Sequence, residues 1–200
     1  MFEKWDMPEA KANLEFMPPV VFLKEAQVKA PSMEIQAGLI REAVLNIPAL
    51  RYECWQQMVP EQRLAVLNAL EDQMAEIGLR DSRIVAAREL DVPGLCKDQS
   101  IIINRELVNS DTQEGFEAAV SALIHEGRHA YQHHNMTVSQ VEKNGELVDS
   151  WRTNMDLGYD NGTGKIHWGR SDIQLKMQAR EVDADAFTCA VMQQLEDVFK

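Results

Sequence analysis

The chain has little cysteine. Cys54, Cys96 and Cys189 are its only three in 200 residues, far apart, with no CxxC pair and no cysteine–histidine cluster. That spacing excludes a disulfide framework and a cysteine-based zinc site, and makes a reducing compartment the default. The chain also lacks any apolar run near the ~18 residues that cross a bilayer. Its opening stretch, MFEKWDMPEAKANLEF, has no apolar core of the kind a secretory leader needs. The expectation is therefore no membrane partner and a cytoplasmic protein, or one exported by a signal-independent route. Positive charge is scarce: 20 Lys+Arg stand against 32 Asp+Glu, a formal charge of −12. Such a field repels phosphate backbones, so no nucleic-acid partner is expected. It suits a cationic substrate, or simply solubility. No internal repeat or low-complexity tract is present.

What remains is ordinary globular material, 45% hydrophobic and 26% charged, enough for one core-forming domain and an arm. Residues 1–33, broken by Pro8, Pro18, Pro19 and Pro31, read as an N-terminal arm that could lie over a cleft. Residues 34–200 read as the domain. Helical patterns are expected at 34–46, 48–58 and 60–78, the last opened by Pro60 and carrying Leu64, Val66, Leu67, Leu70, Met74 and Ile77. Residues 83–87 and 100–104 are β-branched and separated by the turn-like Asp91-Val-Pro-Gly94, predicting a hairpin or two neighbouring strands. Asp111-Thr-Gln-Glu114 has the form of a capping box before a helix over 112–135. Helices are expected again at 138–154 and 172–198, with a glycine-rich loop at 157–169. The fold class is α+β, mainly helical, with a small sheet before the 112–135 helix.

That helix carries His125-Glu126-Gly127-Arg128-His129, an HExxH. Histidines four apart share a face one turn apart, so both imidazoles can reach one ion, and the glutamate between them can sit beside a metal-bound water. This supplies two of three protein ligands for a catalytic Zn²⁺ and a general base. Around the helix, Phe116, Val120, Leu123, Gly127, Ala130 and Tyr131 form a core stripe. His125 and His129 fall opposite, with the small Ala118 and Ala122; Arg128 and Tyr131 lie off that face. His133 could approach the rim, although a solvated helix end explains His133 and His134 as well.

A third ligand six residues beyond the second histidine would fall on Asn135, and Gln132 stands where that pattern has glycine, so it fails. The last helix offers Glu181 and Asp185 on one face, expected to point inward with Met177, Met192 and Leu195; Asp183 points elsewhere. Inward carboxylates are costly without a cation. Glu181 is thus the third ligand, and Asp185 can hydrogen-bond a ligand histidine. Cys189, on the same face, is expected to be buried and inert.

The stretches Ile124-His-Glu-Gly-Arg-His-Ala-Tyr-Gln132 and Glu181-Val-Asp-Ala-Asp-Ala-Phe187 resemble those of zincin metallopeptidases of the gluzincin branch, and of small bacterial and phage-associated zincin-like proteins. The resemblance covers the two motif helices and, loosely, the strand before the first. It implies zinc on His125, His129 and Glu181, Glu126 as general base, Asp185 as the aspartate four residues past the ligand, and a peptide or protein substrate. It further implies substrate backbone laid along an edge strand, here Ser100–Leu107. The 52 residues from His129 to Glu181 are a longer insert than in the most compact members. Tyr159 and His167, within that insert, are the candidate transition-state donors. Three readings follow: a metallopeptidase, a zincin-like binding or regulatory domain with little hydrolysis, and a helical interaction protein carrying the motif by accident.

Overall fold

The structure is a computed structural model that describes residues 28–155 and 178–199. The helices are α1 (Met33–Leu45), α2 (Tyr52–Trp55), α3 (Pro60–Ile77), α4 (Arg105–Asn109), α5 (Gln113–Thr137), α6 (Gly145–Met155) and α7 (Ala179–Leu195). The strands are β1 (Ile84–Arg88), β2 (Gly94–Lys97) and β3 (Ser100–Asn104). The class is α+β, as the patterning implies. No helix among the described residues is long and apolar enough to cross a membrane.

The sheet departs from expectation. The two β-branched runs are neighbours, but β1 and β3 run parallel, Ile84 opposite Ser100. The hairpin is β2–β3, antiparallel, with Asp98 at φ 52° in its turn. Gly94-Leu-Cys-Lys97 is thus a strand that turn chemistry concealed. The order is β1-β3-β2, so Ser100–Asn104 is the central strand and has no free edge. The edge beside α5 belongs to Gly94–Lys97.

Helix α5 is the axis. Thr112 rather than Asp111 caps it, its hydroxyl oxygen accepting the Gly115 N–H at 3.1 Å. Asp111 is instead drawn to the buried Arg63. Phe116, Ala119, Val120 and Leu123 are fully buried, in one core with α1, α3, the sheet and α7. A Cβ on Gly127 would fall 2.1 Å from the Met74 Cε. The small third residue of the motif therefore leaves room for the tip of the Met74 side chain. The expected helix at 48–58 shrinks to Tyr52–Trp55, and the short α4 was not expected. Of the arm, residues 1–27 lie outside the described part, whereas Ala30 is buried and its N–H bonds the Val141 carbonyl at 3.0 Å.

Helix α7 is turned differently from the sequence reading. Its inward residues are Asp183, Ala184, Phe187, Val191 and Leu195. Asp183 accepts Nε and Nη2 of the buried Arg128 at 2.8 and 3.0 Å, and Tyr131, Trp151 and Phe187 pack their rings on that guanidinium. Asp185 is 65% exposed rather than inward, and Cys189 is exposed rather than buried. Glu181 stands between, at 21%.

Candidate metal centre

Helix α5 presents His125 and His129 one turn apart, and the first turn of α7 brings Glu181 to both. The two Nε2 atoms are 3.1 Å apart. Glu181 sets Oε2 3.4 Å from His125 Nε2 and Oε1 3.4 Å from His129 Nε2. The three residues expected to meet at one ion are thus brought together, and they form the one cluster of metal-ligating type found among the described residues.

Their hydrogen-bond partners decide what those atoms are. Gln132 donates its amide to the Arg180 carbonyl at 2.9 Å and to Asp183 Oδ2 at 2.8 Å. Both are acceptors, so the Gln132 oxygen must face His129, and it lies 2.9 Å from Nδ1. His129 therefore carries its proton on Nδ1. His125 Nδ1 lies 3.3 Å from the Asp185 carboxylate. In the neutral state the His129 Nε2 is a lone pair, aimed at His125 Nε2 and at a carboxylate. Converging acceptors repel unless a cation stands among them.

The donor set fits a metal. Two imidazoles and a carboxylate suit zinc, whose ~2.0–2.1 Å bonds in a tetrahedron give ligand separations of about 3.4 Å. The separations here are 3.1 to 3.4 Å. Without an ion, a proton would take the same place between imidazole and carboxylate. Burial works to raise the Glu181 carboxyl, but hydrogen bonds to His125 and His129 and their charges hold it well below its ordinary range. Burial opposes protonation of His129, yet Glu181 and Glu126 raise it above the ordinary value.

Glu126 is buried under the sheet edge. Burial pushes its carboxyl up, against the charges of His129 and His125 and a hydrogen bond from the Cys96 backbone. A Cβ on Gly94 would sit 2.8 Å from the Glu126 Cγ, so glycine there is what lets β2 close over this glutamate. The Cys96 thiol beside it is pushed up to about 11, chiefly by burial. At neutral pH it is no nucleophile.

Sequence reasoning placed His125, Glu126, His129, Glu181 and the Asp185 contact. It missed Gln132, set aside when the HExxHxxGxxH pattern failed. Its position three residues past His129 on the same helix was the available signal. It also missed β2. Tyr159 and His167 lie outside the described residues. Comparison with models of known protein families, with curated proteins and with solved structures finds no match.

Proposed function

We propose that the chain is a metal-dependent hydrolase of the zincin type, with zinc held by His125, His129 and Glu181. The observation that carries this reading is the convergence of two imidazole Nε2 atoms and a carboxylate, with Gln132 fixing the His129 Nε2 as an acceptor. Within that class, the substrate is a peptide bond. The support is the outer edge of β2, which has no strand partner among the described residues and lies beside Glu126, where an extended chain can add as a further strand.

Bound zinc would supply Lewis acidity, polarising a carbonyl and lowering the pKa of a water. The chain's own groups do the rest. Glu126, poised upward by burial and held by the Cys96 amide, takes the water's proton and delivers a proton to the leaving amine. Asp185 and Gln132 keep the histidine Nε2 atoms turned to the centre. The β2 edge aligns the substrate backbone beside Glu126.

The test is metal stoichiometry followed by turnover. Wild type should hold about one zinc per chain, by the three-ligand logic of a catalytic site, and His129→Ala should lose it. Glu126→Gln should keep zinc while peptide hydrolysis falls about 10²–10⁴-fold. A wild type that releases all zinc on dialysis sinks the reading. Zinc with no Glu126-dependent turnover leaves the binding or regulatory domain.

A further inference from the structure

One turn beyond His129, α5 carries the exposed His133. Against it lies Arg83, the residue before β1, only 8% exposed. The Arg83 Nη2 is 3.4 Å from His133 Nδ1.

Every other deeply buried arginine described here has a carboxylate. Arg128 has Asp183, Arg80 has Glu71 at 2.6 and 2.8 Å, and Arg63 has Asp111. The Arg83 guanidinium has none among the described residues. Glu71, close by, is occupied by both Arg80 nitrogens and by the Arg83 backbone N–H. Asp81 acts on His134 and makes no ion pair with Arg83. What surrounds His133 is cationic: burial first, then the charges of Arg83, Arg180 and His134, hold it below its ordinary value.

A buried guanidinium without a counter-charge is costly, and in a chain of −12 a local excess of positive charge is conspicuous. Arg83 donates to His133 Nδ1, while the Thr137 hydroxyl donates to the His133 carbonyl at 2.7 Å. The contact uses one Nη2 N–H, and the rest of the Arg83 fork has no hydrogen bond to a described residue and matches a carboxylate.

We propose that Arg83, oriented by its hydrogen bond to His133, forms an anion subsite that takes a carboxylate of the substrate beside the metal centre. Calling the ligand a substrate rests on the hydrolase reading above; the subsite itself does not need the metal. One turn of α5, about 5.4 Å, separates His133 from His129. An extended peptide advances about 3.4 Å per residue, so the carboxylate lies one or two residues from the bond at the metal.

The test reads binding rather than turnover. The His133 ring signals are followed by NMR while N-acetylglycine, N-acetylglycinamide or the α-amide of N-acetylglutamate is titrated into the full chain. Zinc-free protein comes first, because a free carboxylate can also ligate zinc; zinc-loaded protein follows. The acids should shift His133 saturably and the neutral amide should not. Preference for N-acetylglycine identifies a chain-terminal carboxylate; preference for the glutamate derivative identifies an acidic side chain. Arg83→Gln should weaken acid binding about tenfold or more. Should that variant not fold, His133→Asn, at an exposed position, should weaken it severalfold, with loss measured on the remaining shifted signals. Equal response to acid and amide, or unchanged acid binding in either folded variant, overturns the subsite. A chain that binds acids through Arg83 yet takes no zinc keeps the subsite and loses the hydrolase. One that takes zinc and cleaves peptides, but binds acid and amide alike, does the reverse.

Discussion

On one side of α5, Arg128 meets Asp183 in a buried two-bond pair ringed by Tyr131, Trp151 and Phe187. On another, His125 and His129 meet Glu181 at similar distances. The first cluster is matched in charge: the anion meets the cation and aromatic faces cover it, although Arg128 Nη1 and Trp151 Nε1 find no hydrogen-bond partner among the described residues. In the second, Gln132 satisfies the His129 Nδ1 and Asp185 lies 3.3 Å from the His125 Nδ1, which leaves the His129 Nε2 an acceptor facing a carboxylate. The two clusters on one helix therefore differ in whether a permanent cation already faces the carboxylate: Arg128 does for Asp183, and neutral imidazoles do not for Glu181. Gln132 joins the two clusters, giving its amide to Asp183 and its oxygen to His129.

Breaking the charge-matched cluster should have the largest effect. Asp183→Ala leaves Arg128 buried without an anion and should cost about 3–5 kcal/mol in urea unfolding. Replacing both partners with apolar residues of similar volume should recover much of that. If the single and double variants lose the same stability, the pair is not the cause.

Adding a cation to the second cluster comes next. Zinc at a hundred times its dissociation constant should stabilise the chain by about 2.7 kcal/mol, and His129→Ala should abolish the gain. A wild-type melting temperature indifferent to zinc would place the histidine cluster with the structural one.

Outer contacts should act more weakly. Loss of such a partner typically lowers metal affinity ~10–100-fold. Gln132→Leu, at a buried position, should fall toward the upper figure, and Asp185→Ala, 65% exposed, toward the lower, as read by chelator competition. The reverse order would mean that the Asp185 contact, not the Gln132 network, orients the pair.

The smallest effect is on pH dependence without metal. Glu181, lowered in the fold, contributes stability above its ordinary 4.5 and loses it as pH falls through the lowered value. His129, raised in the fold, contributes below its ordinary 6.5 and loses it as pH rises through the raised value. Glu126, raised by burial, costs stability as pH climbs above 4.5. The zinc-free melting temperature should peak between those ordinary values, and zinc should move the peak upward. A zinc-free maximum above pH 7 would contradict this assignment.

Local chemistry carries short-range information, and the chain was readable wherever the relevant partners lie within one helix. The i, i+4 histidines, the glutamate between them, the Pro60 start and the Glu181–Asp185 spacing all follow from helical periodicity. Periodicity fixes relative angles around a helix but not which angle faces the core. That is why Asp185 and Cys189 were turned inward on α7, where Asp183 belongs.

The sequence by itself determined the candidate ligand types, their spacing along each helix and the acidic, mainly helical character of the chain, because these depend on residue identity and on a 3.6-residue repeat. Only the tertiary structure decided that Gln132 locks one histidine, that Gly94 admits β2 over Glu126, and that Arg83 is buried without a counter-charge among the described residues. Each of those depends on residues at least 30 positions apart coming within bonding distance, or failing to. Packing of the whole core settles that, and no local pattern encodes it.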